Sequence, residues 1–75
     1  MTLSELDIGQ TAKITKVGGE GTLRLRLLDM GLITGTVVEM KRKAPLGDPV
    51  EIRLRDYELS LRTDDAKNII VEAIK

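Results

Sequence analysis

Between Val38 and Arg62 the chain carries three consecutive runs in which apolar and polar residues alternate, the mark of half-buried β-strands. Val38 and Met40 face one way, with Glu39 and Lys41 opposite. Val50, Ile52 and Leu54 alternate with Glu51, Arg53 and Arg55, and Tyr57, Leu59 and Leu61 alternate with Glu58, Ser60 and Arg62. Pairing the runs as an antiparallel meander with their apolar members inside fixes a register. Val38 meets Leu54 and Met40 meets Ile52, which sets Glu39 opposite Arg53 and Lys41 opposite Glu51 on the outer face. Leu54 meets Tyr57 and Ile52 meets Leu59, which sets Arg53 opposite Glu58. Every outer pair holding two charges is opposite in sign. Matching the apolar positions does not force that result, so the charges support the topology independently. The Arg55-Asp56 turn fits this topology least well, because neither residue is of the Asn-Gly type favoured in two-residue hairpins, although Asp tolerates positive φ.

The first two runs are joined by Ala44-Pro45-Leu46-Gly47-Asp48-Pro49, a shaped loop. Pro45 fixes φ and removes a donor, Gly47 allows positive φ, and Asp48 before Pro49 is pushed toward extended backbone. Leu46 stands at the tip, where an ordinary connector carries Ser or Asn. A stiff loop displaying an apolar side chain is built to meet a neighbour, in its own barrel or on another protein.

The flanking segments complete the outline. Leu3 and Leu6 follow Thr2 at helical spacing in a short turn that ends at Gly9. Thr11 to Val17 reads as a strand with Ala12 and Ile14 on one side, broken by Gly18-Gly19. Gly21 to Met30 is the one helix-length segment. Leu23, Leu27 and Met30 share a stripe, Leu25 and Leu28 fall away from it, and Gly31 suits the C′ position. Gly31 and Gly35 bracket a tight return. Asp64 to Lys67 predicts a helical turn with Asp64 as N-cap, and Ile69, Val71 and Ala73 predict a last strand with Ile70 and Ile74 on its other side. Residues 1–75 hold no repeat and no linker. The outline is one domain, mainly β: a small, strongly bent barrel of about five short strands with one short α-helix.

Composition removes whole classes of function. Seventy-five residues lie near the lower limit for independent folding. The chain has no Cys and no His, so disulfides, thiolate metal sites, imidazole ligands and the usual general base are all missing. Twelve basic residues balance twelve acidic ones, which leaves no general attraction to nucleic acid, and a single Tyr without Phe or Trp makes no platform for stacking bases. The N-terminus has neither the charged nor the apolar region of a secretory signal. The longest apolar run is three residues, Ile69 to Val71, too short to cross a bilayer. The expected location is the cytoplasm, without membrane insertion.

The run Arg26-Leu27-Leu28-Asp29-Met30-Gly31-Leu32, then Gly35, then Ala44 to Val50, then Leu61-Arg62 and Ala66, resembles the FeoA family over essentially the whole chain. The resemblance implies an SH3-like barrel and a cytoplasmic accessory role in bacterial ferrous iron uptake. It implies as partner the membrane transporter FeoB, a GTPase-linked permease, which would recruit the chain to the inner face of the membrane. A related domain ends many metal-dependent transcription repressors. Two positions depart from the family pattern: Thr34 stands where Pro is common, and Asp56 stands at a turn where Gly is frequent.

Against an iron-handling role the ligand inventory is thin. Asp48, Asp56, Asp64, Asp65, Glu51, Glu58 and Glu72 offer carboxylates alone, and adjacent Asp64 and Asp65 diverge by about 100° on a helical turn. We therefore expect no resident cofactor and no tight metal site, with ferrous iron involved weakly or indirectly. The triplet Glu39, Arg53 and Glu58 reads as a solvated charge ladder worth about 0.2–1 kcal/mol per pair, not as an acid–base pair, and no enzyme is expected. Gly18-Gly19-Glu20-Gly21 lacks the Lys-Ser/Thr of a phosphate cradle and reads as a connector. Lys41, Arg42 and Lys43 with Arg55 form a basic cluster suited to a solvated hairpin end or an acidic partner. Leu25, Leu28 and Leu46, rimmed by Arg24 and Arg42, have the anatomy of a transient interface. The expected function is a non-catalytic adapter that docks on FeoB, supported by the structural motif Gly31, Gly35, Pro45, Gly47, Asp48 and Pro49. The alternatives are a stand-alone domain of the metal-dependent repressor type and a weak transition-metal-binding protein.

Overall fold

In the computed structural model, which describes residues 1–74, the strands are Thr11–Val17 (β1), Val37–Lys43 (β2), Val50–Leu54 (β3), Tyr57–Leu61 (β4) and Ile69–Ile74 (β5). They form one antiparallel sheet in the order β4-β3-β2-β1-β5, so the meander β2-β3-β4 is extended by β1 and then by β5. Two helices, Gly21–Asp29 (α1) and Thr63–Ala66 (α2), and a 3-10 turn at Leu3–Glu5 complete the chain. The architecture is mainly β, as expected. The N-terminal turn is shorter than its leucine spacing suggested, but Leu3 and Leu6 are both fully buried.

The expected register holds where it counts. Val38 pairs Leu54, Glu39 pairs Arg53 and Met40 pairs Ile52, while Ile52 pairs Leu59, Arg53 pairs Glu58 and Leu54 pairs Tyr57. One pairing is corrected. A register shift between Met40 and Arg42 sets Arg42, not Lys41, opposite Glu51, and Lys43 opposite Val50. The extra residue is a bulge, which bends β2 and sharpens its twist. Lys41 instead reaches along its own strand to Glu39, Nζ to Oε2 at 3.8 Å. A second shift lies between Ile14 and Lys16 on β1.

One face of the bent sheet and the inward side of α1 enclose the core. Ala12, Ile14, Val38, Met40, Val50, Ile52 and Leu54 line it from the strands, with Leu27, Leu32, Ile69 and Val71 packed in among them. Leu27 is fully buried, and Leu23, Leu28 and Met30 pack partly buried against the same cluster. Leu28 therefore does not stand off the core, as its angle on the helix suggested. The core wraps α1 on two sides, so a single stripe underestimates the covered face.

Two turns set the ends of these elements. Gly31 takes φ +93° and closes α1, and the Tyr57 hydroxyl donates to the Met30 carbonyl at 2.6 Å. A Cβ on Gly31 would run into that hydroxyl. Tyr57 is half exposed despite its inward register, because β4 is an edge strand and its ring lies over the end of α1. In the β3–β4 turn the left-handed residue is Arg55, at φ +54°, and not Asp56, the one of the two that tolerates it better.

Candidate docking surface

Helix α1 turns Leu27 inward and leaves Leu25 63% exposed. Its arginines are held by the surrounding chain. Arg24 Nε donates to the Val17 carbonyl at 3.3 Å, which ties the first turn of α1 to the end of β1. Arg26 Nη2 donates to Asp65 Oδ2 at 3.0 Å, which ties α1 to α2.

The Ala44–Pro49 loop is closed on itself. The Gly47 N–H donates to the Ala44 carbonyl at 2.7 Å and the Ala44 N–H to the Pro49 carbonyl at 3.0 Å, with Gly47 at φ +85° and the Asp48–Pro49 peptide cis. This places Leu46 at 96% exposure, the most exposed large apolar side chain among the described residues. The loop is also bound from outside. Asp48 Oδ1 accepts the Thr63 N–H at 2.8 Å, and Thr63 Oγ1 donates to the Gly47 carbonyl at 2.6 Å. Arg62 Nη2 lies 3.8 Å from Asp48 Oδ2.

This corrects the N-cap of α2. The helix starts at Thr63, with Arg62 in the cap position and no side-chain cap bond of its own. Asp64 lies inside the first turn, and the acceptor that caps this end comes from Asp48 across the loop. Polar contacts thus run from the loop to α2 and on to α1. Leu46 stands at one end of this relay and Leu25 at the other. Leu28 lies between core and surface. Arg42 is exposed opposite Glu51 on β2. Sequence reasoning missed Thr63, Asp65 and Arg26. Thr63 directly before two acidic residues is a helix-start signal, but its loop partner is not written in the local sequence.

The contacts that join loop, α2 and α1 are hydrogen bonds and ion pairs between exposed or partly exposed groups. Among the described residues, no three His, Cys, Asp or Glu side chains come together in a group that could hold a metal ion. An open groove of about 230 Å³ beside β1 and β5 is lined by Lys13, Glu72, Ala73 and Ile74. Among the described residues, no helix is long and apolar enough to cross a membrane.

The FeoA domain family matches residues 1–73. A fusion of Fe(2+) transport protein A with Fe(2+) transporter FeoB from Porphyromonas gingivalis (strain ATCC BAA-308 / W83) is 47% identical over 74 residues, which are 99% of this chain and 9% of that protein. The chain therefore spans under a tenth of the length of this curated relative. The solution structure of an FeoA-like protein from Clostridium acetobutylicum superposes with a TM-score of 0.92 at 40% identity, covering 100% of this chain and 87% of that one. The crystal structure of FeoA from Stenotrophomonas maltophilia complexed with zinc, described as a prokaryotic SH3 domain protein, superposes with a TM-score of 0.84 at 30% identity, covering 96% and 89%. The fold is SH3-like. On sequence and structure together, the chain belongs to the FeoA domain family.

Proposed function

We propose that this chain is a non-catalytic accessory protein of ferrous iron uptake that docks, through α1 and the Ala44–Pro49 loop, on the cytoplasmic side of the transporter FeoB. The observation that carries this reading is the pair of exposed leucines, Leu25 and Leu46, borne by two elements that polar contacts join. An exposed Leu on a surface is ordinary, but one held at the tip of a stiff, externally bonded loop contributes nothing to the core. The P. gingivalis fusion supports FeoB as the partner, since a covalent link between two domains keeps them at high effective concentration. Ferrous iron is then the transporter's cargo. The chain acts on it indirectly, by binding one conformation of FeoB better than another and so biasing opening or nucleotide turnover.

Leu25→Glu and Leu46→Glu test the reading. Both positions are exposed, so the variants keep the wild-type melting temperature, and each lowers retention on immobilised FeoB at least tenfold, as loss of a buried aliphatic anchor does. Undiminished retention of both variants refutes the docking surface. Leu28 is a poorer choice for this test, because a charge there disturbs the core it packs against.

A further inference from the structure

Thr63 uses both of its polar groups on the loop: its N–H on the Asp48 carboxylate at 2.8 Å and its hydroxyl on the Gly47 carbonyl at 2.6 Å. Both bonds fall just after the tip, at the two residues that follow Leu46. The residue they restrain is not packed, for Leu46 is 96% exposed. The bond to the Thr63 N–H serves the start of α2, but ordering a tip that buries nothing adds no packing and costs conformational freedom. A restraint of this kind gains its value when the tip meets something else.

We propose that Thr63 and Asp48 are positioning residues of the docking surface. They clamp the loop to α2, and Asp65 and Arg26 carry the restraint to α1, so that Leu46 keeps a fixed relation to Leu25 before the partner arrives. The inference rests on the docking reading above and adds to it a division of labour: the leucines touch the transporter, and the clamp removes the ordering cost that a swinging loop would impose on binding.

Thr63→Val keeps the side-chain shape and removes the hydroxyl, whereas Thr63→Ser keeps the hydroxyl. Two quantities are measured: amide hydrogen exchange at Gly47 in the free chain, and affinity for full-length FeoB in lipid nanodiscs. Thr63→Val speeds exchange at Gly47 about tenfold and weakens binding about tenfold, and Thr63→Ser restores both. In a Leu46→Ala background Thr63→Val weakens binding less than twofold, because the clamp acts through the leucine it holds. Asp48→Ala frees the loop from its other anchor and reproduces both changes, which keeps the test open if Thr63→Val does not fold. Unchanged exchange, or equal losses in the two backgrounds, overturns the clamp. Binding that is lost with Leu46→Glu and untouched by Thr63→Val removes the clamp alone. Binding that ignores Leu25→Glu and Leu46→Glu removes the docking reading and the clamp with it.

Discussion

The N-terminal 3-10 turn and α2 are both single-turn elements that bury one apolar anchor, Leu3 in the first and Ala66 in the second, yet their first turns are satisfied in opposite ways. In the N-terminal turn the Glu5 carboxylate accepts the Thr2 N–H at 2.7 Å, three residues back, and the Thr2 and Ser4 hydroxyls meet at 2.8 Å. In α2 the acceptor is Asp48, fifteen residues away in sequence. A local cap stabilises the element that owns it and nothing more. A cap borrowed from a loop binds two elements together, so that one side chain sets both the start of a helix and the position of a loop. Stability and presentation are separate properties at the N-terminus and coupled ones at α2.

Asp48→Ala breaks the comparison most directly. It removes the acceptor of the Thr63 N–H and the partner of Arg62, and we expect a loss of about 1–2 kcal/mol, read as a fall in melting temperature of roughly 5–10 °C by circular dichroism. Asp48→Asn retains an oxygen acceptor and loses less than half as much, since the Arg62 contact is exposed. A melting curve that Asp48→Ala does not move means that α2 draws no stability from the loop.

A smaller effect separates cap from clamp. Arg62→Ser, added to Asp48→Ala, supplies a local N-cap in extended backbone that suits one, and should restore about 0.5–1 kcal/mol. Exchange at Gly47 should stay fast in this double variant. Recovery of both together would show that the loop follows the helix without any direct bond.

The smallest effect belongs to Glu5. Its carboxyl is held below the ordinary value of 4.5, first by the Thr2 backbone N–H and then by the Thr2 hydroxyl. A carboxyl lowered in the folded state contributes stability that is fully present above its ordinary value and is lost as pH falls through the lowered one. Wild-type melting temperature should therefore fall more steeply than that of Glu5→Gln as pH drops below 4.5. Parallel pH profiles would show that the exposed turn gives no advantage to the ionised form.

What could be read from the residues follows the same division. Alternation placed Val38, Met40, Ile52, Leu54 and Leu59 correctly, because a period of two is local and a one-residue slip reverses every side chain. Gly31 and Gly47 announced their positive φ, at +93° and +85°, because glycine is the ordinary residue there. Lys41 was misplaced because a bulge adds a residue without any sequence mark. Arg55 carries the left-handed turn with none of glycine's signature, and the sheet pairing on either side imposes it. Leu25 and Leu46 stood out as apolar residues off every pattern. Thr63 and Arg26, which join the elements that bear them, did not, since a hydrogen bond between distant segments leaves no periodicity to find.

Tyr57 is the only aromatic residue in the 75, so the near-ultraviolet signal of the whole protein comes from one ring. That ring is bolted by its hydroxyl to the last turn of α1. Any event that lifts the helix end from the hairpin is announced by an intrinsic reporter without a label. The same bolt fills the space that a side chain at residue 31 would need, so Gly31 is held to glycine twice, by its φ of +93° and by the Tyr57 hydroxyl.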